Sequence, residues 1–284
     1  MTTANITKLF GTDGIRGEAG KFPLDPSTIR VIGESLTRHL AERTGGRTPR
    51  IVTGRDTRES GSWIERALIA GARESCADVQ SAGIITTPGV AFLARTFPAD
   101  AGVVISASHN PYQDNGIKVF DPSGRKLDDA TERKIEIDIA ENTREPSNRL
   151  SNHSGFEPDG SALRARYLEY LSHEVARDLS LADLSIVVDC ANGAAYELAP
   201  ELFNRLGARV IPINHEPDGH NINLNCGSLH IEGLQRRVVA ERAGHAMHTA
   251  LVSRLLRDSS LWEETTEEHA PDSIAVPASA EVAY

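Results

Sequence analysis

The stretch that decides the fold is Gly102 to Phe120, GVVISASHNPYQDNGIKVF. Gly102-Val103-Val104-Ile105-Ser106 is a short apolar run of the kind a buried strand makes, and it opens straight into the polar loop ASHNPYQDNG. Ile117-Lys118-Val119-Phe120 reads as the next strand, with Asn115-Gly116 as a tight turn that carries Lys118 back toward the loop. Asp121-Pro122-Ser123-Gly124 is a further turn, and a helix follows from about Asp128 to Asn142.

Upstream, strand-like and helix-like segments alternate. Residues 26 to 43 place Ile29, Ile32, Leu36 and Leu40 on one helical face, with Pro26 suited to the first turn and Gly45-Gly46 to the stop. Arg50 to Gly54 reads as a short buried strand, residues 61 to 76 as an amphipathic helix, and Thr86-Thr87-Pro88 as the start of a third helix running to about Phe97. Downstream, residues 143 to 160 are aperiodic and rich in Pro, Ser, Asn and Gly, which predicts a linker. A helix over 161 to 177, a strand over 184 to 189, a helix over 195 to 206, a strand over 208 to 213 and a helix over 229 to 242 resume the alternation. Strands separated by helices predict mostly parallel sheets covered on both faces. The expected architecture is α/β: two consecutive α/β/α domains over 1–143 and 161–243, a linker over 144–160, and an irregular acidic tail over 244–284, where a helix over 246 to 262 is one option.

Composition narrows the class. The 284 residues are 39% hydrophobic and 25% charged, ordinary for a globular chain, and aromatics at 5% leave the core to Val, Ile, Leu and Ala. No apolar run approaches the ~18 residues of a membrane span, and MTTANITKLFGTDG has no secretory pattern. The three cysteines, Cys76, Cys190 and Cys226, form no C-x-x-C pair, so reduced thiols in a cytoplasm are expected. A net charge of -10 argues against a nucleic-acid binder, though a basic pocket for phosphate can operate inside an acidic protein.

Ser108 is the residue with chemistry in view. A hydroxyl beyond the carboxyl end of a buried parallel strand sits where open α/β sheets bind ligands. His109 and Asn110 can donate to an anion, Pro111 stiffens the exit, and Lys118 supplies a cation. That set suits a nucleophile or phosphate carrier. It suits equally a hydrogen-bonded loop with a capping serine, and the residues alone leave both open. A serine hydrolase using Ser108 and His109 is disfavoured, since no G-x-S-x-G elbow surrounds the serine.

Five motifs in order then resemble the α-D-phosphohexomutase superfamily: K-L-F-G-T-D-G-I-R-G at 8–17, T-G-R-D-T-R-E-S-G at 53–61, S-A-S-H-N-P at 106–111, V-V-D-C-A-N-G-A-A-Y at 187–196, and E-P-D-G-H-N-I-N-L-N-C-G-S at 216–228. The resemblance covers roughly residues 8 to 242. It implies that Ser108, rather than Ser106, carries a phosphoryl group and passes it to and from a hexose phosphate through a 1,6-bisphosphate. Glucosamine phosphate is the sugar suggested by the wording of the second-domain motifs. It further implies Lys118 as general acid–base, helped by His109 and Arg16, with Arg55 and Asn110 binding phosphate. A magnesium ion is implied on the phosphate of Ser108.

The sequence departs from the family after Ala243. The family's Asp-Gly-Asp-x-Asp-Arg metal loop is expected there, but the chain reads Gly244-His245-Ala246-Met247-His248, and no D-G-D occurs anywhere. The family's later loops, one reading the sugar and one clamping its phosphate, find no match. The expectation is therefore a chain with little or no turnover alone and weak magnesium binding, since this ion usually takes a carboxylate or two. His245 and His248 are read as exposed, Cys190 as a small buried residue, Arg236-Arg237 as a solvated face and Tyr112 as packing on the loop.

Overall fold

A computed structural model describes residues 8–142 and 160–241, together with the backbone of 245–248 and 281–283. The chain forms two compact units, Met1–Arg164 and Ala165–Tyr284. Of the expected linker, residues 144–159 lie outside the described residues.

In the first unit the elements run β1 (Ile15–Glu18), α1 (Pro26–Arg43), β2 (Arg50–Arg55), α2 (Glu59–Glu74), β3 (Asp78–Ile84), α3 (Thr87–Thr96), β4 (Ala101–Ile105), β5 (Asp114–Phe120) and α4 (Asp129–Asn142). The sheet order is β1-β5-β4-β2-β3. β2 pairs in parallel with both β3 and β4, while β5 runs antiparallel to β4 and to β1. Ile29, Ile32, Leu36, Ile64, Leu68, Ile135 and Ile139 from α1, α2 and α4 form one core with Ile51, Val103, Ile105, Ile117 and Val119 of the sheet. On the sheet, α3 lies so close that any side chain at Gly102 would run into Val90 and Ala94. Helix α1 starts where the sequence says it should. Asp25 accepts from Thr28 N at 3.0 Å and Thr28 Oγ1 at 2.7 Å, which satisfies an otherwise orphaned amide.

Three features of this unit depart from the sequence reading. Strands β1 and β3 were not expected, because Ile-Arg-Gly-Glu is short and Asp78-Val79-Gln80-Ser81 lacks an apolar run. Asn115 and Gly116 are not a turn but the second and third residues of β5, opposite Gly17 and Arg16 of β1. The reversal lies earlier, in the hydrogen bonds from Asn110 N to Ala107 O (3.1 Å) and from Asp114 N to Pro111 O (3.2 Å). Gly116 serves closeness instead: a Cβ there would sit 2.7 Å from Ser106 O and 2.9 Å from Ile15 O.

The second unit runs from α5 (Ser161–Tyr170), which begins just before it, through a π-turn at Leu171–Val175 to β6 (Ser185–Asp189), α6 (Leu198–Arg205), β7 (Arg209–Ile213), α7 (Glu232–Glu241), β8 (His245–His248) and β9 (Glu281–Ala283). All pairings in its sheet, ordered β7-β6-β8-β9, are parallel. Val187, Leu234 and Val238 form its core with Ile211 and Ile213 against them. At 245–248 the chain is a strand and not the start of a helix, with His245 opposite Ile186 and His248 opposite Asp189. His-Ala-Met-His carries no β-branched residue, so nothing local signals a strand, and the edge of β6 decides it by offering unpaired backbone groups. The rest of the expected tail lies outside the described residues.

Candidate phosphoryl-transfer site

Strand β4 ends at Ile105, and the chain beyond it is held from two sides. Ser106 N donates to Gly116 O of β5 at 3.0 Å, and Asp56 N, just after β2, donates to Ile105 O at 3.1 Å. The loop that follows is therefore suspended from the tips of β2, β4 and β5, at the carboxyl ends of the parallel pair. Ser108 sits on it as an exposed residue with φ of 56°. A left-handed backbone at a residue with a Cβ costs on the order of 1 kcal/mol or more and persists only where neighbours impose it.

The neighbours that impose it are buried charges. Arg58 has a fully buried side chain whose Nε donates to Asp114 O (2.8 Å) and whose Nη2 donates to Asn110 O (2.7 Å) and Ser108 O (3.2 Å). Its Nη1 reaches Asp56 Oδ2 at 3.3 Å. Asp56 in turn accepts from Ser106 Oγ at 2.6 Å, and Ser106 Oγ accepts from Ser108 N at 3.1 Å. Burial pushes the Asp56 carboxyl above its ordinary range, against the opposing pull of Arg58 and of the Ser106 hydroxyl. Burial likewise pushes Arg58 down, opposed by Asp56 and Asp114.

Above this buried net lies a part-exposed cluster. Asp13 Oδ1 accepts from Lys118 Nζ at 3.0 Å, and Asp13 Oδ2 lies 3.2 Å from Arg16 Nη2. Burial of Asp13 disfavours its charge, yet the Lys118 hydrogen bond and the charges of Lys118, Arg16 and His109 outweigh it and hold the carboxyl below its ordinary value. Arg16 Nε is shielded from water and makes no hydrogen bond, so one guanidinium donor beside Asp13 is unspent. Gly14 lets the N-terminal loop lie on β5, where a Cβ would meet Ile117 O at 2.3 Å.

The structure thus brings together Arg16, Lys118 and the charge of His109 around Asp13, and hangs Ser108 from the same strand tips. Asn110 is less available, since its Nδ2 donates to Asp114 Oδ2 at 2.9 Å. Arg55 turns to α2 instead: its Nε donates to Glu65 Oε2 at 3.0 Å, and Glu65 also accepts from Thr53 Oγ1 (2.5 Å) and Ser81 Oγ (2.7 Å). Its charge still reaches the loop through Asp56. Asp13, Asp56 and Arg58 are the residues that reasoning from sequence passed over, although all three stand inside motifs it singled out. A magnesium ion is not supported by this set. Among the described residues no three His, Cys, Asp or Glu side chains converge as a metal site, and Asp13 is committed to two cations.

The second unit's strand-tip loop is organised by Asp189, which is buried. Its Oδ1 accepts from Ala191 N and from Asn214 Nδ2, both at 2.9 Å, and its Oδ2 accepts from Gly227 N at 3.0 Å. Burial, with the Asp189 charge adding, raises the Cys190 thiol to about 12 and the Cys226 thiol to about 11, so neither is a thiolate at neutral pH.

Residues 7–146 match the family model described as phosphoglucomutase/phosphomannomutase, alpha/beta/alpha domain I. A phosphoglucosamine mutase of Syntrophomonas wolfei is 48% identical over 236 residues, 83% of this chain and 52% of its own length. One of Solibacter usitatus is 50% identical over 236 residues, 83% of this chain and 51% of its own. The crystal structure of a phosphoglucomutase/phosphomannomutase family protein from Burkholderia thailandensis superposes with a TM-score of 0.63 at 28% identity, covering 84% of this chain and 50% of that one. The chain spans about half the length of the curated relatives it matches, and its residues 7–146 are similar to the alpha/beta/alpha domain I of the phosphoglucomutase/phosphomannomutase family.

Proposed function

We propose that this chain carries the phosphoserine half of a hexose-phosphate mutase, with Ser108 as the relay and a glucosamine phosphate as the sugar. The observation that carries the proposal is the placement of Ser108: an exposed serine in a left-handed conformation on a loop shared by the tips of β2, β4 and β5, next in sequence to His109, whose charge is felt at the Asp13 carboxylate that pairs with Lys118 and Arg16. The choice of sugar is supported by the names of relatives at 47–50% identity.

In the uptake step a sugar 1,6-bisphosphate loses one phosphoryl group to Ser108. The Ser108 Oγ–P bond forms, the sugar O–P bond breaks, and the hydroxyl proton ends on the departing sugar oxygen. Lys118 is the candidate to hand that proton over, with His109 assisting. Arg16 and Lys118 offset the charge on the phosphoryl oxygens, and Asp13 yields its two partners to them as the phosphate arrives. Donation to a sugar monophosphate is the reverse. Among the described residues no three His, Cys, Asp or Glu side chains converge to hold a metal, so these roles fall to the chain's own cations.

The test is intact-mass measurement after incubation with glucose 1,6-bisphosphate. One phosphate should be gained by the protein and none by Ser108→Ala; equal gain by both, or none by either, removes the relay from Ser108. A second reading is that the chain accepts phosphate without turning substrate over, since among the described residues no three His, Cys, Asp or Glu side chains converge to hold a metal. A coupled assay for glucosamine 1-phosphate separates the two.

A further inference from the structure

We infer that Asp56 and Arg58 form a positioning unit for the relay, with Arg58 setting the backbone of Ser108 from beneath. The inference rests on the relay reading above and adds to it the residues that hold the serine in place. A single guanidinium gathers three carbonyls, those of Ser108, Asn110 and Asp114, from a seven-residue segment, and takes Asp56 as its fourth partner. Only a planar fork with several fixed donors can serve acceptors spread in this way; a lysine ammonium is a point donor. Ser108 is consequently tied at both backbone ends, its N–H on Ser106 Oγ and its C=O on Arg58 Nη2. Ser106 Oγ is itself fixed by Asp56, so the two ties share one buried pair. Arg58 makes no claim on the phosphate, because its side chain is wholly enclosed. Its place at the start of α2, immediately before Glu59, links the loop to a helix anchored in the core by Ile64 and Leu68.

The consequence concerns rate more than binding. A misplaced nucleophile can lose ~100-fold in transfer while the donor still binds. Arg58→Met should therefore lower the first-order rate of phosphate uptake from glucose 1,6-bisphosphate by about 100-fold with the half-saturating donor concentration little changed. Arg58→Lys, which restores charge but not the fork, should recover only a small part of the rate. Leu68→Ala, a core truncation on the same helix, gives the contrast: it should cost at least as much stability yet leave the rate within about threefold. The backbone is read without any donor by the Ser108 ¹³Cα shift and HN–Hα coupling, which should leave their left-handed values in Arg58→Lys. The inference is overturned if Arg58→Lys keeps both the rate and the left-handed signature, or if Leu68→Ala loses the rate as far as Arg58→Met. Should the unaltered protein take up no phosphate, the relay reading falls, and the backbone measurement still decides whether Arg58 sets the loop.

Discussion

The two strand-tip loops make an instructive pair. Each is organised by a buried carboxylate, Asp56 after β2 in the first unit and Asp189 at the end of β6 in the second. Asp189 gathers two backbone amides and one side-chain amide, so its loop closes on neutral donors. Asp56 instead accepts from a hydroxyl and a buried guanidinium, and that guanidinium reaches on to three carbonyls of the serine loop. Above the serine loop, Lys118 and Arg16 stand around the part-exposed Asp13. The lesson is that one device for holding a loop serves two ends. With neutral donors it makes a scaffold; with a buried ion pair it also ties down the backbone of a loop that carries an exposed hydroxyl.

If Asp189 is purely structural, its loss should be the costliest single change. Asp189→Ala leaves the amides of Ala191 and Gly227 and the side chain of Asn214 without their acceptor, a penalty of roughly 4 kcal/mol for three stranded donors. Hydrogen-exchange protection of the β6 amides should fall accordingly, while phosphate uptake at Ser108 should not change. A smaller effect, but one on chemistry, is expected at Lys118. Lys118→Met should slow phosphate uptake by about 100-fold, some 2.7 kcal/mol of transition-state stabilisation. Its effect on stability should stay small, because the Lys118–Asp13 pair is part-exposed. A Lys118→Met protein that takes up phosphate at the normal rate would reduce the exposed cluster to a surface ion pair.

Gly116→Ala comes next and probes the geometry that joins β1, β4 and β5. The added methyl has Ser106 O at 2.7 Å and Ile15 O at 2.9 Å to displace, both backbone atoms, so about 2 kcal/mol of destabilisation is expected by thermal or urea unfolding. A neutral result would mean that the strand tips can part without loss.

Much of this was legible in the sequence. Helices α1 to α4 and strands β2, β4 and β6 follow from periodicity and from Pro, Gly and Asp at their ends, and Ser108 was visible as a hydroxyl past a buried strand. What stayed hidden is what the third dimension decides. Arg58 and Asp56 stood inside T-G-R-D-T-R without any local sign of burial, and the fold encloses them together. Asp13 drew no notice between its glycines, and it is the pairing of β1 with β5 that sets it against Lys118. Asn115-Gly116 gave a strong turn signal that the sheet overrode, because Gly116 was wanted for its lack of a side chain between two strands. Local chemistry drew attention to the exposed loop and passed over the residues that packing covers.

The smallest expected effect separates charge from packing at Asp13. Asp13→Asn removes one carboxylate from a part-exposed pair of contacts, and such contacts contribute ~0.2–1 kcal/mol. The pH dependence supplies the discrimination. The folded carboxyl titrates below its ordinary value of 3.8, so near that pH the unfolded chain binds more protons than the folded one. The stability from Asp13 is then fully present above 3.8 and is lost as pH falls through the lowered folded value. Urea midpoints of the two proteins should differ slightly at neutral pH and converge in acid. A gap that survives acidification would assign Asp13 a packing role. Convergence would leave it as a resident anion that holds Lys118 and Arg16 in place until a phosphate displaces it, a function with no counterpart around Asp189.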